Sequence, residues 1–260
     1  MPTALITGAS RGLGRGFAER FAEEGHDVAL VARSEDDLQA VADGVEDDHG
    51  VATHVVPTDL TDHGEREALI AALDDRGVTV DALVNNAGFG NSGRFHEIPL
   101  EHDRDLLELN AGAVQHLTKH YLDAMLDRGE RGDGQILNVA STAGFWPGPG
   151  MATYFASKSY ALLLTEAVAD EVASSGVDVT ALCPGPVRTA FWEEADMEDA
   201  RLSSFAAQDV ETVVDRGYRG LQRGDRVVVP SWTFKLLRFS SRFAPRFLQR
   251  KIAATLNSEH

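Results

Sequence analysis

The stretch TGASRGLG, Thr7 to Gly14, follows the short apolar run ALIT (4 to 7) and leads straight into a helical pattern. Glycines at 8, 12 and 14 let the backbone turn tightly and approach a pyrophosphate. The helix that follows offers unpaired N–H groups and the positive end of its dipole. Such a cluster is either a nucleotide cradle or only a tight turn, and its place directly after a buried first strand favours the cradle.

Outward from that loop, short apolar runs alternate with longer amphipathic ones. VALVA (28 to 32), ATHVV (52 to 56), ALVN (82 to 85), QILNVA (135 to 140), DVTALC (178 to 183) and RVVV (226 to 229) join ALIT as buried strands. Helical patterns lie between them near residues 14 to 24, 35 to 47, 62 to 76, 101 to 128, 152 to 175 and 208 to 223. The rhythm predicts an α/β fold, a doubly wound parallel sheet of about seven strands with helices on both faces. Ligands on such sheets sit beyond the carboxyl ends of the strands, so functional residues should cluster just after each one.

The 260 residues, 43% of them hydrophobic, suffice for one sizeable core, and we expect a single domain over residues 1 to 233 with an extension from 234 to 260. One cysteine, Cys183, forbids an internal disulfide, and the start shows no signal-peptide pattern, so a cytoplasmic protein is expected. No run of eighteen apolar residues is present for a spanning helix. The net charge of -17 makes a nucleic-acid partner implausible. Of the 24 basic residues 4 are Lys and 20 Arg, and many carboxylates with few lysines suit a protein that works in concentrated salt, a halophilic surface.

The spacing TGxxxGxG resembles that of the short-chain dehydrogenase/reductase family. NNAG (Asn85 to Gly88), NVAS (Asn138 to Ser141), YFASK (Tyr154 to Lys158) and PGPVRT (Pro184 to Thr189) occur in the family's order and distances, over about residues 3 to 230. Within the family, LVAR, NVASTAG and ALCPGPVRT look most like a branch of oxidoreductases that also resembles 3-ketoacyl and steroid reductases. The resemblance implies a Rossmann-like fold, a nicotinamide cofactor, and homodimers or homotetramers built partly from the Tyr154-bearing helix.

By the same resemblance Gly8, Ser10, Arg11, Gly12, Leu13 and Gly14 form the cofactor loop. Asp59 and Leu60 stand at the adenine, Asn86, Ala87 and Gly88 line the cofactor, and Pro184, Gly185, Val187 and Thr189 lie on the nicotinamide side. An acid at the end of the second strand would favour a free ribose 2′-hydroxyl. Here that strand ends in Ala32, Arg33 and Ser34, and Arg11 adds a second guanidinium, so charge favours NADP(H) over NAD(H).

Tyr154 and Lys158 stand four apart and therefore share a helix face. A free phenol titrates near pH ~10 and must shift by about 3 units to act as acid and base at neutral pH. A positive charge about 4 Å away offers ~4 kcal/mol at an effective dielectric near 20, which makes Lys158 the expected activator. Burial acts against it, and the oxidised nicotinamide is a natural second cation. Ser141 ends a strand where its hydroxyl can bond a substrate oxygen. Asn110, in LELNAGA, corresponds to the family's catalytic Asn, which implies a bent helix and a water held near Lys158.

The expected reaction is hydride transfer between nicotinamide and a small, apolar carbonyl or alcohol substrate, with catalytic Asn110, Ser141, Tyr154 and Lys158, the last two also holding the cofactor. The alternative is a non-catalytic NADP(H)-sensing binding protein. No metal is expected: His116 and His120 share a helix face, but HLTKH lacks the Glu of a zinc-protease motif. Phe145, Trp146, Met151, Phe191 and Trp192 suggest an apolar pocket, and Pro184 to about Phe205 reads as a mobile lid or a solvated connector. Lys235, Arg238, Arg242, Arg246 and Arg250 alternate with Phe239, Phe243 and Phe247 in a basic amphipathic stripe broken near Pro245. The stripe suits peripheral contact with an anionic membrane, packing on the acidic body or a sister subunit, or a cover for the substrate mouth.

Overall fold

The computed structural model describes residues 1–128, 134–188, 207–241 and 245–257. Seven strands form one parallel sheet in the order β3-β2-β1-β4-β5-β6-β7. They are β1 Thr3–Thr7, β2 Asp27–Ala32, β3 Thr53–Pro57, β4 Val80–Asn85, β5 Gln135–Val139, β6 Asp178–Leu182 and β7 Val227–Val228. The direction of winding reverses between β1 and β4, which opens a crevice at their carboxyl ends.

Period-two alternation divides the strands between two cores. Ala4, Ile6, Val28 and Leu30 face one side with Phe17 and Phe21 of α1 (Gly12–Glu23), Leu38 and Val41 of α2 (Glu35–His49), and Val213 and Leu221 of α7 (Val210–Gln222). Leu5, Ala29, Val31 and Leu83 face the other side with Leu69 and Leu73 of α3 (His63–Asp75), Leu117 and Tyr121 of α5 (Val114–Asp127) and Ala169 of α6 (Ala152–Glu171). Each fully buried Leu or Phe contributes about 1.5–3 kcal/mol, so both faces hold the sheet strongly.

α2 and α3 start at side-chain caps, where Ser34 and Asp62 accept from the N–H groups of Asp37 and Glu65. Between α4 (Leu100–Leu107) and α5 the chain makes a π-turn, Glu108–Ala113. Of the basic stripe, Lys235, Arg238 and Phe239 lie on α8 (Trp232–Ser241) and Arg246, Phe247 and Arg250 on α9 (Arg246–Asn257), Arg242 and Phe243 lie outside the described residues, and residue 234 is inside α8. Phe234 is buried in a core shared with Cys183, Val229, Phe145 and Trp146, while Arg238 stacks on the Phe145 ring at 4.6 Å and reaches Glu166 at 3.5 Å. Among the described residues no helix is long and apolar enough to cross a membrane.

Candidate active site

The loop after β1 is built around a close approach. Gly8 and Gly12 have φ of 65° and 56°, which a Cβ disfavours, and a Cβ on Gly14 would lie 2.0 Å from the Gly8 carbonyl oxygen. α1 therefore begins directly against the loop. Its N-cap, Arg11, makes no side-chain cap, which leaves the first-turn N–H groups without an acceptor from that side chain.

The loop is tied to the end of β4. Asn86 Nδ2 donates to the carbonyls of Thr7 at 3.0 Å and Gly8 at 3.3 Å, and Thr7 Oγ1 accepts from the backbone N–H of Asn86 and Ala87 at 2.9 and 3.0 Å. Beneath it, Asn85 Nδ2 donates to Asn138 Oδ1 at 2.8 Å and to Thr118 Oγ1 at 3.0 Å, and Asn138 passes the chain on to Thr165 at 2.9 Å. These buried amides lock β4, β5, α5 and α6 together at the site's floor.

On the outer side, Arg33 is exposed at the end of β2 and Ser34 is engaged as the cap of α2. Burial raises the Asp59 carboxyl, but hydrogen bonds from the Thr61 hydroxyl and N–H and the Arg33 charge outweigh it and leave Asp59 below its usual range. Arg33 and Asp59 thus share one electrostatic neighbourhood.

Asn110 is fully buried in the π-turn. Its Oδ1 accepts from Phe89 N–H at 3.1 Å, and its Nδ2 donates to Phe89 O at 2.9 Å and Ser157 Oγ at 3.1 Å. The bend implied at Asn110 is this π-turn, and the carboxamide joins the loop after β4 to α6. A Cβ on Gly88 would meet Asn110 Oδ1 at 2.8 Å and Lys158 Nζ at 3.4 Å, so Gly88, Asn110 and Lys158 meet at one point.

Lys158 Nζ donates to Val139 O at 2.9 Å and stands 6.0 Å from the centroid of the Tyr154 ring. Burial pushes the ammonium down to about 8. Burial also pushes the Tyr154 phenol up to about 12, while its hydrogen bond with Ser141 acts in the opposite sense. Burial thus acts against Lys158 at this phenol, the opposition expected from the sequence, and a second positive charge is needed for Tyr154 to work near neutral pH. Ser141 also caps the 3₁₀ turn Thr142–Phe145, accepting from Ala143 N–H at 3.1 Å.

After β6, Thr142 N–H donates to Pro184 O at 2.9 Å, and Val187 pairs with Gln208. A Cβ on Gly185 would lie 2.4 Å from the Phe234 ring, so α8 packs tightly on this loop. Thr189, Phe191, Trp192 and most of the expected lid lie outside the described residues. Of the proposed pocket residues, Met151 is buried beside Tyr154, Leu106 and Ala143, with Phe89 and Phe155 packed on the same group, whereas Phe145 and Trp146 join the core under α8.

Sequence reading missed Arg66. It is buried on the apolar face of α3, where its guanidinium donates to Leu60 O and Glu108 O, each at 3.3 Å, and pairs with the Glu108 carboxylate at 3.1 Å. It therefore fastens the loop after β3 to the start of the π-turn that carries Asn110. The available signal was an arginine among Leu69, Ile70 and Leu73 at core spacing.

Residues 2–200 match the family model for short chain dehydrogenases. The chain belongs to the short-chain dehydrogenase/reductase family. This reductase-family chain is 39% identical over 188 residues to a putative ketoacyl reductase of Streptomyces coelicolor, covering 72% of the chain and 70% of that relative. A solved short-chain dehydrogenase from Sphingobium yanoikuyae in complex with NADPH is 33% identical, with a TM-score of 0.83 over 94% of each chain. One from Burkholderia phymatum in complex with NAD is 26% identical, with a TM-score of 0.84 over 96% of this chain and 95% of that one. The short-chain dehydrogenase/reductase is accordingly an NAD(P)-dependent oxidoreductase.

Proposed function

We propose that the protein is an NADP(H)-dependent carbonyl reductase or alcohol dehydrogenase in which Tyr154 moves the proton. The observation that carries this reading is the convergence of Ser141, Tyr154 and Lys158 on the carboxyl end of β5, with Gly88 and Asn110 against Lys158. The glycine loop fits a dinucleotide, because positive φ at Gly8 and Gly12 and the missing Cβ at Gly14 let α1 start tight against the end of β1, where its N-terminus can meet a pyrophosphate. Gly8, Ser10, Arg11, Gly12, Leu13 and Gly14 would hold the pyrophosphate and adjoining ribose, with Asp59 and Leu60 toward the adenine. Asn86, Ala87, Gly88, Pro184, Gly185, Val187 and Thr189 would line the remainder.

When bound, the nicotinamide supplies or accepts the hydride. Tyr154 gives a proton to the carbonyl oxygen in reduction and takes it back in oxidation. Ser141 hydrogen-bonds the same oxygen and orients it toward the phenol. Lys158 would hold the cofactor ribose and contributes positive charge beside Tyr154, and Asn110 fixes the distance between α6 and the loop after β4. Family neighbours hold both NADPH and NAD, so the preference rests on charge: Arg33 and Arg11 at the ribose favour a 2′-phosphate.

Met151, Phe89 and Phe155 around Tyr154 favour an apolar substrate. Exposed Leu100 and Leu107 on α4 and Tyr160 and Leu163 on α6 supply an apolar face for a homodimer or homotetramer. The contacts of Phe234 and Arg238 favour packing of α8 on the catalytic body, and the cytoplasm suits this chain's composition. The reading is tested with a panel of ketones and secondary alcohols followed at the NADPH absorbance, comparing wild type with Tyr154→Phe. Turnover lost with Tyr154 supports it, and tight NADPH binding without turnover on any substrate would support a cofactor sensor instead.

A further inference from the structure

A second cluster lies outside the catalytic crevice, between α3 and α5. His63 and Glu67 stand four apart on α3 and so share a face, and His116 projects from α5 opposite them. His116 Nε2 lies 3.0 Å from Glu67 Oε1, the His63 and His116 rings are 4.9 Å apart between centroids, and one donor atom from each residue lies within 4.8 Å of the others. Among the described residues this is the group of three so arranged.

We infer that His63, Glu67 and His116 form a binding site for a zinc-class divalent ion that clips α3 to α5. Two imidazoles and a carboxylate are the borderline donors such ions take, and bonds of about 2.0–2.1 Å in a tetrahedron place the donors about 3.3 Å apart. The His116–Glu67 pair is near that separation already, and small rotations of the exposed His63 and Glu67 side chains close the remainder. His63 and His116 border a cavity of about 480 Å³ that His120, Lys119 and Arg66 also line, which leaves the fourth position to water or to His120. Arg66 does not oppose the ion as a bare charge, since the Glu108 carboxylate pairs with it at 3.1 Å.

The ion binds the folded chain, where two helices bring the donors together, and so stabilises it by mass action. Because α3 also carries Arg66, the clip holds the helix that fastens the π-turn, yet it touches no catalytic group. Calorimetric titration of the full-length protein with zinc chloride tests the assignment, alongside thermal melts with and without zinc. Wild type should take up one equivalent and melt higher with zinc. His116→Ala and Glu67→Gln should each bind about 100-fold more weakly and lose the thermal response, because one of three protein donors is gone. His49→Ala, at the exposed end of α2, should behave as wild type. Absence of a saturable equivalent in wild type, or unweakened binding in both His116→Ala and Glu67→Gln, overturns the site; Glu67, exposed at the surface, gives a variant whose fold the change does not threaten.

Discussion

Gly14 lies so close to Gly8 that a side chain on the first would stand 2.0 Å from the carbonyl oxygen of the second. The contact is with backbone, which cannot swing aside as a flexible side chain would. Gly14→Ala should therefore push α1 away from the loop, at a cost of about 1–3 kcal/mol in stability and the loss of the cofactor cradle. Fluorescence titration should find NADPH affinity reduced by about 100-fold or more, and a melt should show the smaller structural cost.

Arg33 stands exposed at the end of β2, within electrostatic reach of Asp59. A charge-assisted bond from its guanidinium to a 2′-phosphate is worth about 1.5–3 kcal/mol, or roughly 10- to 150-fold. Arg33→Ala should lower kcat/KM for NADPH by that factor and leave NADH nearly unchanged. Equal losses with both cofactors would remove Arg33 from the preference.

Lys158 is lowered by burial to about 8, so in the free protein it carries its charge below that pH and loses it above. An anionic cofactor prefers the charged form. NADPH affinity should be flat below pH 8 and weaken as pH rises past it, by up to about tenfold per unit. Lys158→Met should bind more weakly throughout and show no inflection in that window.

The first 233 residues carry -22, since the tail holds +5 of the total -17. Self-repulsion at that charge density falls as salt shortens the Debye length from about 10 Å at 0.1 M to 3 Å at 1 M. Melting temperature should rise steadily with molar KCl. A melting point that does not change between dilute buffer and molar salt would dismiss the halophilic reading.

The alternation of short apolar runs with amphipathic stretches made the sheet legible, because strands buried on both faces must read as continuous apolar segments. Boundaries moved where the ladder ends: RVVV contributes only Val227–Val228, and QILNVA ends at Val139. The π-turn was hidden because one added residue per turn hardly disturbs helical periodicity, and only the Asn110 resemblance marked it. Arg66 and the Asn85–Asn138–Thr165 chain were illegible for another reason. Their partners come from different elements and are adjacent only after folding. The direction in which burial moves Tyr154 was foreseen, but its extent was not, because spacing within a helix does not reveal how completely a side chain is desolvated.

Tyr154 is held near 12 in the free protein, and the mechanism requires it to give up its proton far below that once the oxidised cofactor adds its positive charge beside Lys158. The most direct measurement is the pH dependence of kcat for oxidation of a secondary alcohol at saturating NADP⁺, where the phenolate is the base. Wild type should rise with pH to a plateau with its midpoint between about 7 and 9, and Tyr154→Phe should be about 1,000-fold slower without that rise. A midpoint that stays near 12, or a Tyr154→Phe variant as fast as wild type, would contradict the account.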